Sequence, residues 1–368
     1  MSAKPLILLT AGGTGGHVFP AEALASELSR RGHALAFVTD RRGARYGGAL
    51  GELDTYHISG GGIAGKSLAN RVKSIGSLVA GYFQARKLIH RLKPAAVIGF
   101  GGYASVPSVL AASHLGVPTA VHEQNAVLGR ANRLLAGGAA RIATSFDQTG
   151  RIEARWTGKA RRVGNPVRDA ILVLRDQPYP PLFGHGPINL LVVGGSQGAK
   201  VFSDLVPQAL VKLPHELQRR LFIHQQCKTE DVERVTQLYQ HHGIAADLRH
   251  FFDDIPARLA EAHLVIGRSG ASTVAELAVA GRPAVLVPYP HAIDDHQTAN
   301  ACAFARKGAG WVMPQDTLTP ESLAVQLGAL LSSPSALAEA AGHARAEGVP
   351  EAAERLADLM ADLAETKS

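Results

Sequence analysis

Short apolar runs alternate with longer segments of helical spacing along this chain. In the first half, the runs that predict strands are Leu6–Leu9, Ala34–Thr39, Ala95–Ile98 and Thr119–His122. The corresponding runs of the second half are Ile188–Val193, Leu221–Gln225, Leu264–Ile266 and Ala284–Val287. Strand-like runs separated by helical segments are typical of parallel sheets with helices on both faces. The sequence therefore predicts an α/β protein whose second half repeats the architecture of the first.

The segments between the runs predict helices and one domain boundary. Helical composition and spacing are found in Ala21–Arg30, Val201–Lys212 and Glu230–His242. Gly164–Arg168 and Pro178–Pro181 lack periodicity and are rich in residues that break helices and strands, which predicts a hinge near residue 165. We expect a first domain over residues 1–165 and a second over 166–349, with the active site between them. An alanine-rich helix at about 350–365 is expected to pack back on the first domain.

Composition excludes several classes of protein. The 368 residues are 46% hydrophobic and exceed one ordinary core, which agrees with two domains. Cys227 and Cys302 are the two cysteines and form no Cys-x-x-Cys motif, so neither a disulfide framework nor a zinc ribbon is indicated. The apolar run before Gly12 is too short for a signal peptide, and no run of about 18 apolar residues occurs. We therefore expect a cytosolic protein without a spanning helix.

The excess positive charge lies in one segment. No Asp or Glu occurs from Thr55 to His122, and the segment carries seven basic residues: Lys66, Arg71, Lys73, Arg86, Lys87, Arg91 and Lys93. The other 31 basic residues equal the 31 acidic residues, so the net charge of +7 belongs to this segment. No recognised motif with interleaved aromatic residues accompanies the charge, which argues against a nucleic-acid partner.

An apolar stripe runs through the same basic segment. Leu68, Val72, Ile75, Val79 and Tyr82 recur at three- and four-residue spacing, which predicts an amphipathic helix or a helix pair interrupted near Gly76 and Gly81. The stripe could face the core, with basic residues on the outer side, or lie on an anionic membrane leaflet. The pattern alone favours the core.

Three glycine-rich turns follow apolar runs, at Gly12–His17, Gly99–Tyr103 and Gly194–Ala199. Glycine allows the backbone to approach a pyrophosphate, and a helix that begins just afterwards adds the positive end of its dipole. The first turn, with Asp40 at the end of the next strand, could also belong to a nicotinamide dinucleotide site. Val18 occupies the last glycine position of that fingerprint, however, which argues against it.

Five motifs in order resemble the MurG family of peptidoglycan N-acetylglucosaminyltransferases: GGTGGHVFP at 12–20, HEQN at 122–125, GNPVR at 164–168, GGSQGA at 194–199 and RSGASTVAE at 268–276. The resemblance runs from the first strand to about Asn300. It implies a GT-B fold of two Rossmann-like, doubly wound domains facing a cleft, and inverting chemistry without a metal or other cofactor. The implied reaction moves N-acetylglucosamine from UDP-N-acetylglucosamine to the 4-hydroxyl group of lipid I, forming lipid II.

The resemblance also implies roles for individual residues. His17 is our first choice for the general base, because an imidazole with an ordinary pKa of about 6.5 can take a proton at neutral pH; Glu123 is the second choice. The residues expected at the acceptor are Gly101, Gly102, Tyr103 and His122. Those expected at the donor are Thr14, Gly15, Gly16, Asn125, Arg168, Ser196, Phe252, Ala271, Ser272, Thr273, Val274, Ala275, Glu276 and Gln297.

Three of these donor assignments carry a reason or an alternative. Glu276 is expected to accept hydrogen bonds from the ribose hydroxyls, and Phe252 to meet the uracil through its backbone, where family members also carry aliphatic residues. Gln297 is expected at the sugar hydroxyls, with His296 as a substitute because the loop before it is long. The neighbouring Asp294 and Asp295 fit no usual metal-ligand spacing, and no Asp-x-Asp triplet occurs in the chain.

A polyprenyl-linked acceptor changes the interpretation of the apolar stripe. We expect the chain to lie on the cytoplasmic face of the inner membrane as a peripheral protein, through Ile75, Leu78, Val79, Tyr82 and Phe83. The implied partners are both substrates, the anionic membrane surface and proteins of cell-wall synthesis. Alternative functions are a UDP-sugar 2-epimerase and a non-catalytic nucleotide-sugar-binding or membrane-anchoring subunit. Release of UDP that depends on a lipid-linked acceptor distinguishes the transferase from both.

Overall fold

The computed structural model describes residues 5–12, 15–40, 48–61, 68–103 and 105–366, without the side chains of 68–73 and 195–199. The chain divides into two compact units. Unit 1 consists of Met1–Arg168 and Val349–Ser368, and unit 2 of Asp169–Gly348. The chain therefore enters unit 2 after Arg168, just beyond the breaker-rich segment.

Unit 1 contains a seven-stranded parallel sheet in the order β3-β2-β1-β4-β5-β6-β7. Its strands are β1 Leu6–Thr10, β2 Ala34–Asp40, β3 Asp54–Ile58, β4 Ala96–Gly99, β5 Thr119–Glu123, β6 Arg141–Thr144 and β7 Ala160–Arg162. The helices between them are α1 Gly15–Arg30, α2 Gly48–Gly51, α3 Leu68–Leu92, α4 Ser105–His114 and α5 Arg130–Ala136.

The central strand of unit 1 is apolar on both faces because helices cover both sides of the sheet. Ile7 and Leu9 of β1 belong to a buried cluster with Leu24 and Leu28 of α1. Leu8 points to the other side and belongs to a cluster that includes residues of α3 and α4. Successive side chains of a strand point to opposite faces, so a covered parallel strand is continuously hydrophobic, as Leu6–Leu9 is in the sequence.

Unit 2 repeats this architecture with six parallel strands in the order β10-β9-β8-β11-β12-β13. They are β8 Ile188–Val193, β9 Leu221–Gln226, β10 Ala245–Arg249, β11 Leu264–Gly267, β12 Ala284–Leu286 and β13 Gly310–Val312. The helices are α6 Asp169–Leu172, α7 Gly195–Leu210, α8 His215–Gln218, α9 Thr229–His241, α10 Ile255–Glu261, α11 Ala271–Ala280, α12 His296–Arg306, α13 Pro320–Leu331 and α14 Pro334–Glu347. The predicted pair of doubly wound parallel sheets is confirmed.

The last helix of the chain, α15 (Ala352–Glu365), packs on unit 1. Leu356 and Met360 are fully buried in the cluster that contains Leu24 and Leu28 of α1. An ion pair between Arg31 and Asp358, 2.5 Å apart, joins the exposed side of the same contact. The C-terminal helix therefore completes the core of the unit in which the chain begins.

Five strands of the structure were not predicted: β3, β6, β7, β10 and β13. Four of them, β3, β7, β10 and β13, lie at the edges of the two sheets, where one side makes no ladder. Edge strands carry polar residues, as Asp54–Ile58 and Ala245–Arg249 do, and so lack a continuous apolar run. The hydrophobic pattern could not identify β3 and β10 for this reason.

The basic segment contains one continuous helix, α3, and not a pair interrupted at Gly76 and Gly81. Its buried side chains in the described part are Ser74, Ala85, Leu88 and Ile89, whereas Ile75 and Val79 are each 51% exposed. The core interpretation of the apolar stripe is therefore wrong for Ile75 and Val79. The face that packs inward is made largely of small residues, which a hydrophobicity pattern underweights.

The two glycines of α3 make a matched pair for mutation. A Cβ at Gly81 would lie 2.0 Å from the carbonyl oxygen of Ser59, whereas one at Gly76 would meet no atom within 4 Å. We expect Gly81→Ala to lower the free energy of unfolding by about 1–3 kcal/mol through overpacking. Gly76→Ala is expected to raise it by about 0.5–1 kcal/mol, since alanine favours the helix.

Urea unfolding of both variants, followed by circular dichroism, checks this prediction. Equal effects of the two substitutions would contradict the close approach of α3 to Ser59.

Candidate functional site

The carboxyl ends of β1, β4 and β5 place most of the predicted residues of unit 1 at one edge of the sheet. These strands are neighbours and all parallel, so the loops that follow them share that edge. The loops are joined by hydrogen bonds from the Phe100 N–H to the Thr10 oxygen at 2.9 Å and from the Gly12 N–H to the Gly101 oxygen at 3.3 Å. The end of β1, up to Gly12, is therefore joined to the second glycine-rich turn.

His17, in the first turn of α1, lies against the backbone of the second glycine turn. A Cβ at Gly101 would be 3.1 Å from Cε1 and 3.2 Å from Nδ1 of the His17 ring, and one at Gly102 3.5 Å from Cδ2. Gly101 and Gly102 have φ of +94° and +72°, which other residues rarely adopt. The two glycines therefore provide both the turn and the space for the imidazole.

The beginnings of two helices lie at the same edge. α1 begins at Gly15 and α4 at Ser105, whose N–H and hydroxyl both donate to the Gly102 oxygen. Helix N-termini present unpaired N–H groups and a positive dipole end, which favour an anion. Gly15 and Gly16 belong to the first turn of α1, Tyr103 is half-buried beside α4, and Thr14 lies outside the described residues.

His122 is buried beneath this edge, and both of its ring nitrogens are hydrogen-bonded. Nε2 lies 3.0 Å from the Gly164 oxygen, which can only accept, so Nε2 carries the proton. Nδ1 lies 3.1 Å from Nε2 of Gln124, which donates to it. Burial, with a smaller contribution from His17, lowers the pKa of His122 to about 4. His122 is a neutral side chain between β5 and the segment that leads to unit 2, and its ring nitrogens are occupied within unit 1.

Glu123 is 2% exposed, and its carboxylate accepts four hydrogen bonds. The N–H and the side-chain amide of Asn125 each donate to Oε1 at 3.0 Å. The N–H of Gly129 and the side-chain amide of Asn132 each donate to Oε2 at 2.8 Å. These four donors occupy the lone pairs of a carboxylate. The geometry is that of an anchor for the loop between β5 and α5, and not that of a base open to substrate.

Gln124 and Asn125, the other two residues of the HEQN motif at 122–125, differ in exposure. Gln124 is buried and donates from Nε2 to the Phe100 oxygen at 2.9 Å, which ties the loops after β4 and β5 together. Asn125 is half-buried, with one amide hydrogen directed to Glu123. Arg168, the last residue before unit 2, is exposed, and its guanidinium lies 5.7 Å from the ring centre of Phe19 on α1.

In unit 2, the turns after β8 and β11 lie side by side because Val193 pairs with Gly267 in the parallel sheet. α7 begins at Gly195 after the first turn and α11 at Ala271 after the second, so the N-termini of two helices of 16 and 10 residues share one edge. Ser196 lies in the first turn of α7, and its side chain is outside the described part. This edge is the second place in the molecule suited to an anion.

The predicted residues of α11 line its first turn and a half. Ala271, Ser272, Thr273, Ala275 and Glu276 are half-buried, and Val274 is 3% exposed. The Ser272 hydroxyl makes no hydrogen bond within the described part of the chain. The first turns of α11 therefore have one side that is partly exposed, whereas Val274 faces the core.

Gln297 lies beside the start of α11. Its backbone oxygen accepts a hydrogen bond from Ser269 at 2.7 Å, and Oε1 accepts one from the Tyr289 N–H at 2.9 Å. The nitrogen of the Gln297 amide is therefore the atom left to meet a ligand. Asp294 and Asp295, in the loop before it, both have positive φ, at 56° and 54°. Within the described residues, no group of three or more His, Cys, Asp or Glu side chains could hold a metal ion.

Arg268, which sequence reasoning gave no role, places a buried positive charge at this edge. It is 8% exposed and donates to the Val287 and Pro288 oxygens and to Oε1 of Gln315. It forms no ion pair with a carboxylate of the described residues, and burial lowers its pKa. The sequence did contain a signal for this residue, because Arg268 is the first residue of the motif that contains Glu276.

The predicted membrane residues lie on α3. Ile75 and Val79 are 51% exposed and Phe83 is 62% exposed, at a spacing of four residues that places them in one row. Leu78 and Tyr82 are half-buried, and the Tyr82 hydroxyl contacts Nδ1 of His114 at 2.9 Å. Arg86, Lys87 and Arg91 are exposed on the same helix. No helix in the described ranges is long and apolar enough to cross a bilayer.

Comparisons with known proteins agree over nearly the whole chain. The model of the glycosyltransferase family 28 N-terminal domain matches residues 7–144, and that of its C-terminal domain matches residues 189–356. A protein of Paramagnetospirillum magneticum named "UDP-N-acetylglucosamine--N-acetylmuramyl-(pentapeptide) pyrophosphoryl-undecaprenol N-acetylglucosamine transferase" is 57% identical over 99% of this chain and 98% of its own. A protein of the same name from Rhodospirillum rubrum is 55% identical over 98% and 92%.

A solved structure is similar over both units. The crystal structure of Acinetobacter baumannii MurG has a TM-score of 0.79 and 34% sequence identity, and the match covers 97% of this chain and 99% of that one.

The neutral His122 makes the stability of the fold depend on pH. An unfolded histidine has a pKa of about 6.5, whereas His122 in the fold has a pKa of about 4. Between these values the unfolded chain binds a proton that the folded chain does not. This group therefore lowers the free energy of unfolding by about 1.4 kcal/mol for each pH unit as the pH falls from about 6.5 toward 4.

Urea unfolding at several pH values in this window, on the wild type and on His122→Gln, isolates the contribution. The variant is expected to have the shallower pH dependence, whatever its stability at pH 7. Parallel curves would contradict a buried neutral His122.

Proposed function

Because the chain belongs to glycosyltransferase family 28, we propose that it transfers N-acetylglucosamine from UDP-N-acetylglucosamine to the 4-hydroxyl group of the muramoyl sugar of lipid I and so forms lipid II. The observation that carries the proposal is the match to relatives named for this transfer over nearly the full length of the chain, with both glycine-rich edges present. The proposed substrates are those that the names of the relatives contain, a UDP-sugar and an undecaprenyl-linked muramyl pentapeptide.

We propose that unit 1 supplies the general base and that His17 is this group. The acceptor oxygen attacks C1 of the donor sugar, the bond from C1 to the UDP oxygen breaks, and the proton of the hydroxyl passes to the imidazole. The support is the place of His17 at the start of α1, against Gly101 and Gly102. The glycine turns and the N-termini of α1 and α4 are suited to hold the acceptor diphosphate at the same edge.

Glu123 and His122 take a different role in this proposal. The Glu123 carboxylate accepts four hydrogen bonds, and His122 donates one from Nε2 and accepts one at Nδ1, so neither side chain has a free polar atom for substrate. Both position the loop that carries Asn125, which stays our candidate for contact with the donor sugar. The base is therefore assigned to His17 alone, and Tyr103 keeps its predicted place at the acceptor.

We propose that unit 2 binds the donor and stabilises the departing UDP. The N-termini of α7 and α11 and the charge of Arg268 are directed to one edge, where developing negative charge on the diphosphate is favoured. Ser196, Ala271, Ser272 and Thr273 are the candidates for the phosphates, and Glu276 for the ribose hydroxyls. Gln297 offers its amide nitrogen to a sugar hydroxyl.

Transfer of labelled N-acetylglucosamine from its UDP donor to a purified lipid I analogue tests the function, with the linkage of the product determined and divalent cations both absent and present. We expect a β-linked disaccharide and UDP release only when the acceptor is present. Conversion of the donor without acceptor would indicate a UDP-sugar epimerase. UDP binding without either reaction would indicate a binding subunit.

His17→Ala is expected to lower kcat by about two to four decades, since the variant loses its general base. UDP affinity, a property of unit 2, should stay within about threefold of the wild type. Both are measured by the transfer assay and by calorimetric titration with UDP. His215→Ala, at an exposed histidine of α8, is the control and should retain full activity.

A collapse of UDP affinity in His17→Ala would instead make His17 a donor-binding residue. Full activity of the variant would remove it from the mechanism.

We further propose that the exposed row Ile75, Val79 and Phe83 places the protein on an anionic membrane surface, with Arg86, Lys87 and Arg91 beside it. Apolar side chains that enter the acyl boundary and basic residues that face anionic lipids reinforce one another. The acid-free stretch over 55–122 supports this orientation, because no carboxylate in it opposes the lipid charge. Partner proteins of cell-wall synthesis stay a prediction of the resemblance.

Replacing Ile75, Val79 and Phe83 together by serine is expected to weaken binding to vesicles that contain phosphatidylglycerol by at least about tenfold, since three apolar side chains no longer leave water. Val325→Ser, which changes a 75% exposed valine on α13, is the matched control and should bind as the wild type does. Vesicle co-sedimentation at low and high salt measures both. Equal binding by the triple variant and the control would contradict this face.

A further inference from the structure

The turn between β10 and α10 is held from beneath by one aromatic ring. Phe252 is 3% exposed, whereas its neighbour Phe251 is 65% exposed and Asp253 is exposed as well. The Phe252 side chain therefore packs inside unit 2, and the residues on both sides of it face outward. Whatever fixes this ring also fixes the peptide groups of the turn.

Arg258 of α10 fixes the ring. It is 6% exposed, and its guanidinium carbon lies 4.0 Å from the centre of the Phe252 ring. This is close contact for a cation on an aromatic face, and such a contact gains strength where water is excluded. A planar guanidinium can stack on the ring and donate hydrogen bonds at its rim at the same time, which an ammonium group cannot do.

The same guanidinium joins three elements of unit 2 around the ring. Nε donates to Asp254 at 2.7 Å, at the end of the turn, and a terminal nitrogen donates to Asp247 of β10 at 2.8 Å. That nitrogen also contacts Nδ1 of His224 on β9. The two carboxylates outweigh the effect of burial and raise the pKa of Arg258. The turn is thus tied to β9, β10 and α10 through one side chain.

The backbone of Phe252 is left available by this arrangement. In the part of the chain that the structure describes, neither its N–H nor its C=O makes a hydrogen bond. Its C=O cannot join the helix that follows, because the residue four positions later is Pro256, which has no N–H. A backbone donor and acceptor without partners in a buried residue call for an external partner.

A neighbouring N–H and C=O match one edge of a uracil ring, which presents a carbonyl oxygen beside a ring N–H. Cytosine presents an amino group beside an unprotonated ring nitrogen, so the pattern of donor and acceptor is reversed at that edge. The fixed turn can therefore distinguish the two bases, provided that its peptide groups are held in place.

We propose that Arg258 is a positioning residue for recognition of the donor's base: by stacking on Phe252 and pairing with Asp254 and Asp247, it holds the peptide groups that read uracil. The inference rests on the proposed function, in which unit 2 binds UDP. Arg258 does not itself touch the nucleotide, and its role is selectivity. A phenylalanine at position 252 fits this role, since only an aromatic ring provides a face for the cation.

Titration calorimetry with UDP and with CDP, on the wild type, Arg258→Met and Arg258→Lys, tests the proposal. Arg258→Met keeps an apolar chain over the ring and removes the charge and the hydrogen bonds. We expect it to weaken UDP binding by about tenfold with little change for CDP, so that the preference for UDP falls by the same factor. Arg258→Lys should recover part of the preference, and kcat at saturating donor should change less than about threefold.

Arg234→Met is the matched control. Arg234, on α9 of the same unit, also pairs with two carboxylates, Asp204 and Asp231, but it is about half exposed and stacks on no aromatic ring of the described residues. Arg234→Met should leave the UDP preference unchanged.

Phe252→Leu provides a second test if Arg258→Met folds poorly, and it should also reduce the preference for UDP.

Equal loss of UDP and CDP affinity in Arg258→Met, or an unchanged UDP preference in both Arg258→Met and Phe252→Leu, would overturn the proposal. If the wild type transfers N-acetylglucosamine and prefers UDP, either of these results contradicts only the role of Arg258 and leaves the proposed function intact. A wild type that shows no preference for UDP would contradict the donor assignment of the proposed function itself.

Discussion

Parallel pairing of the central strands is the constraint on which both candidate sites depend. Because β1, β4 and β5 run in one direction, the loops that carry His17, Gly101 and Asn125 leave the sheet at the same edge. In unit 2 the pairing of Val193 with Gly267 does the same for the N-termini of α7 and α11. The order and direction of the strands thus bring together residues that are far apart in the chain. The positive ends of the helices that follow these strands lie at the same edge.

Several polar residues at these edges hold the loops in place through hydrogen bonds within their own unit. Glu123, His122 and Gln124 use their side-chain hydrogen-bonding groups within unit 1. His17 packs against glycine backbone, and Asn125 is half-buried. In unit 2, Arg258 and Ser269 hold turns, and the Ser272 hydroxyl makes no hydrogen bond in the described ranges. A polar motif at the end of a strand can therefore consist mainly of supporting residues, because a loop of short polar residues needs internal partners before it can bind anything.

The basic helix α3 shows how one element serves both the core and the surface. Its inward face is narrow and made of Ser74, Gly81, Ala85, Leu88 and Ile89, which allows close approach to Ser59 and to α4. The narrow inward face leaves Ile75, Val79 and Phe83 outside, where they form an apolar row beside basic side chains. The exposed row needs an explanation that the packing of unit 1 does not supply.

The sequence by itself determined the two parallel sheets, their central strands, the glycine turns and the family, because continuous apolar runs and close-packed turns are local signals. It did not identify the polar strands β3 and β10, since edges carry no continuous apolar run. Nor did it reveal that Glu123 is saturated by four donors or that Arg258 covers Phe252. Those facts depend on residues brought together from separate elements, and only tertiary packing decides which hydrogen bonds are made inside the protein and which are left for a substrate.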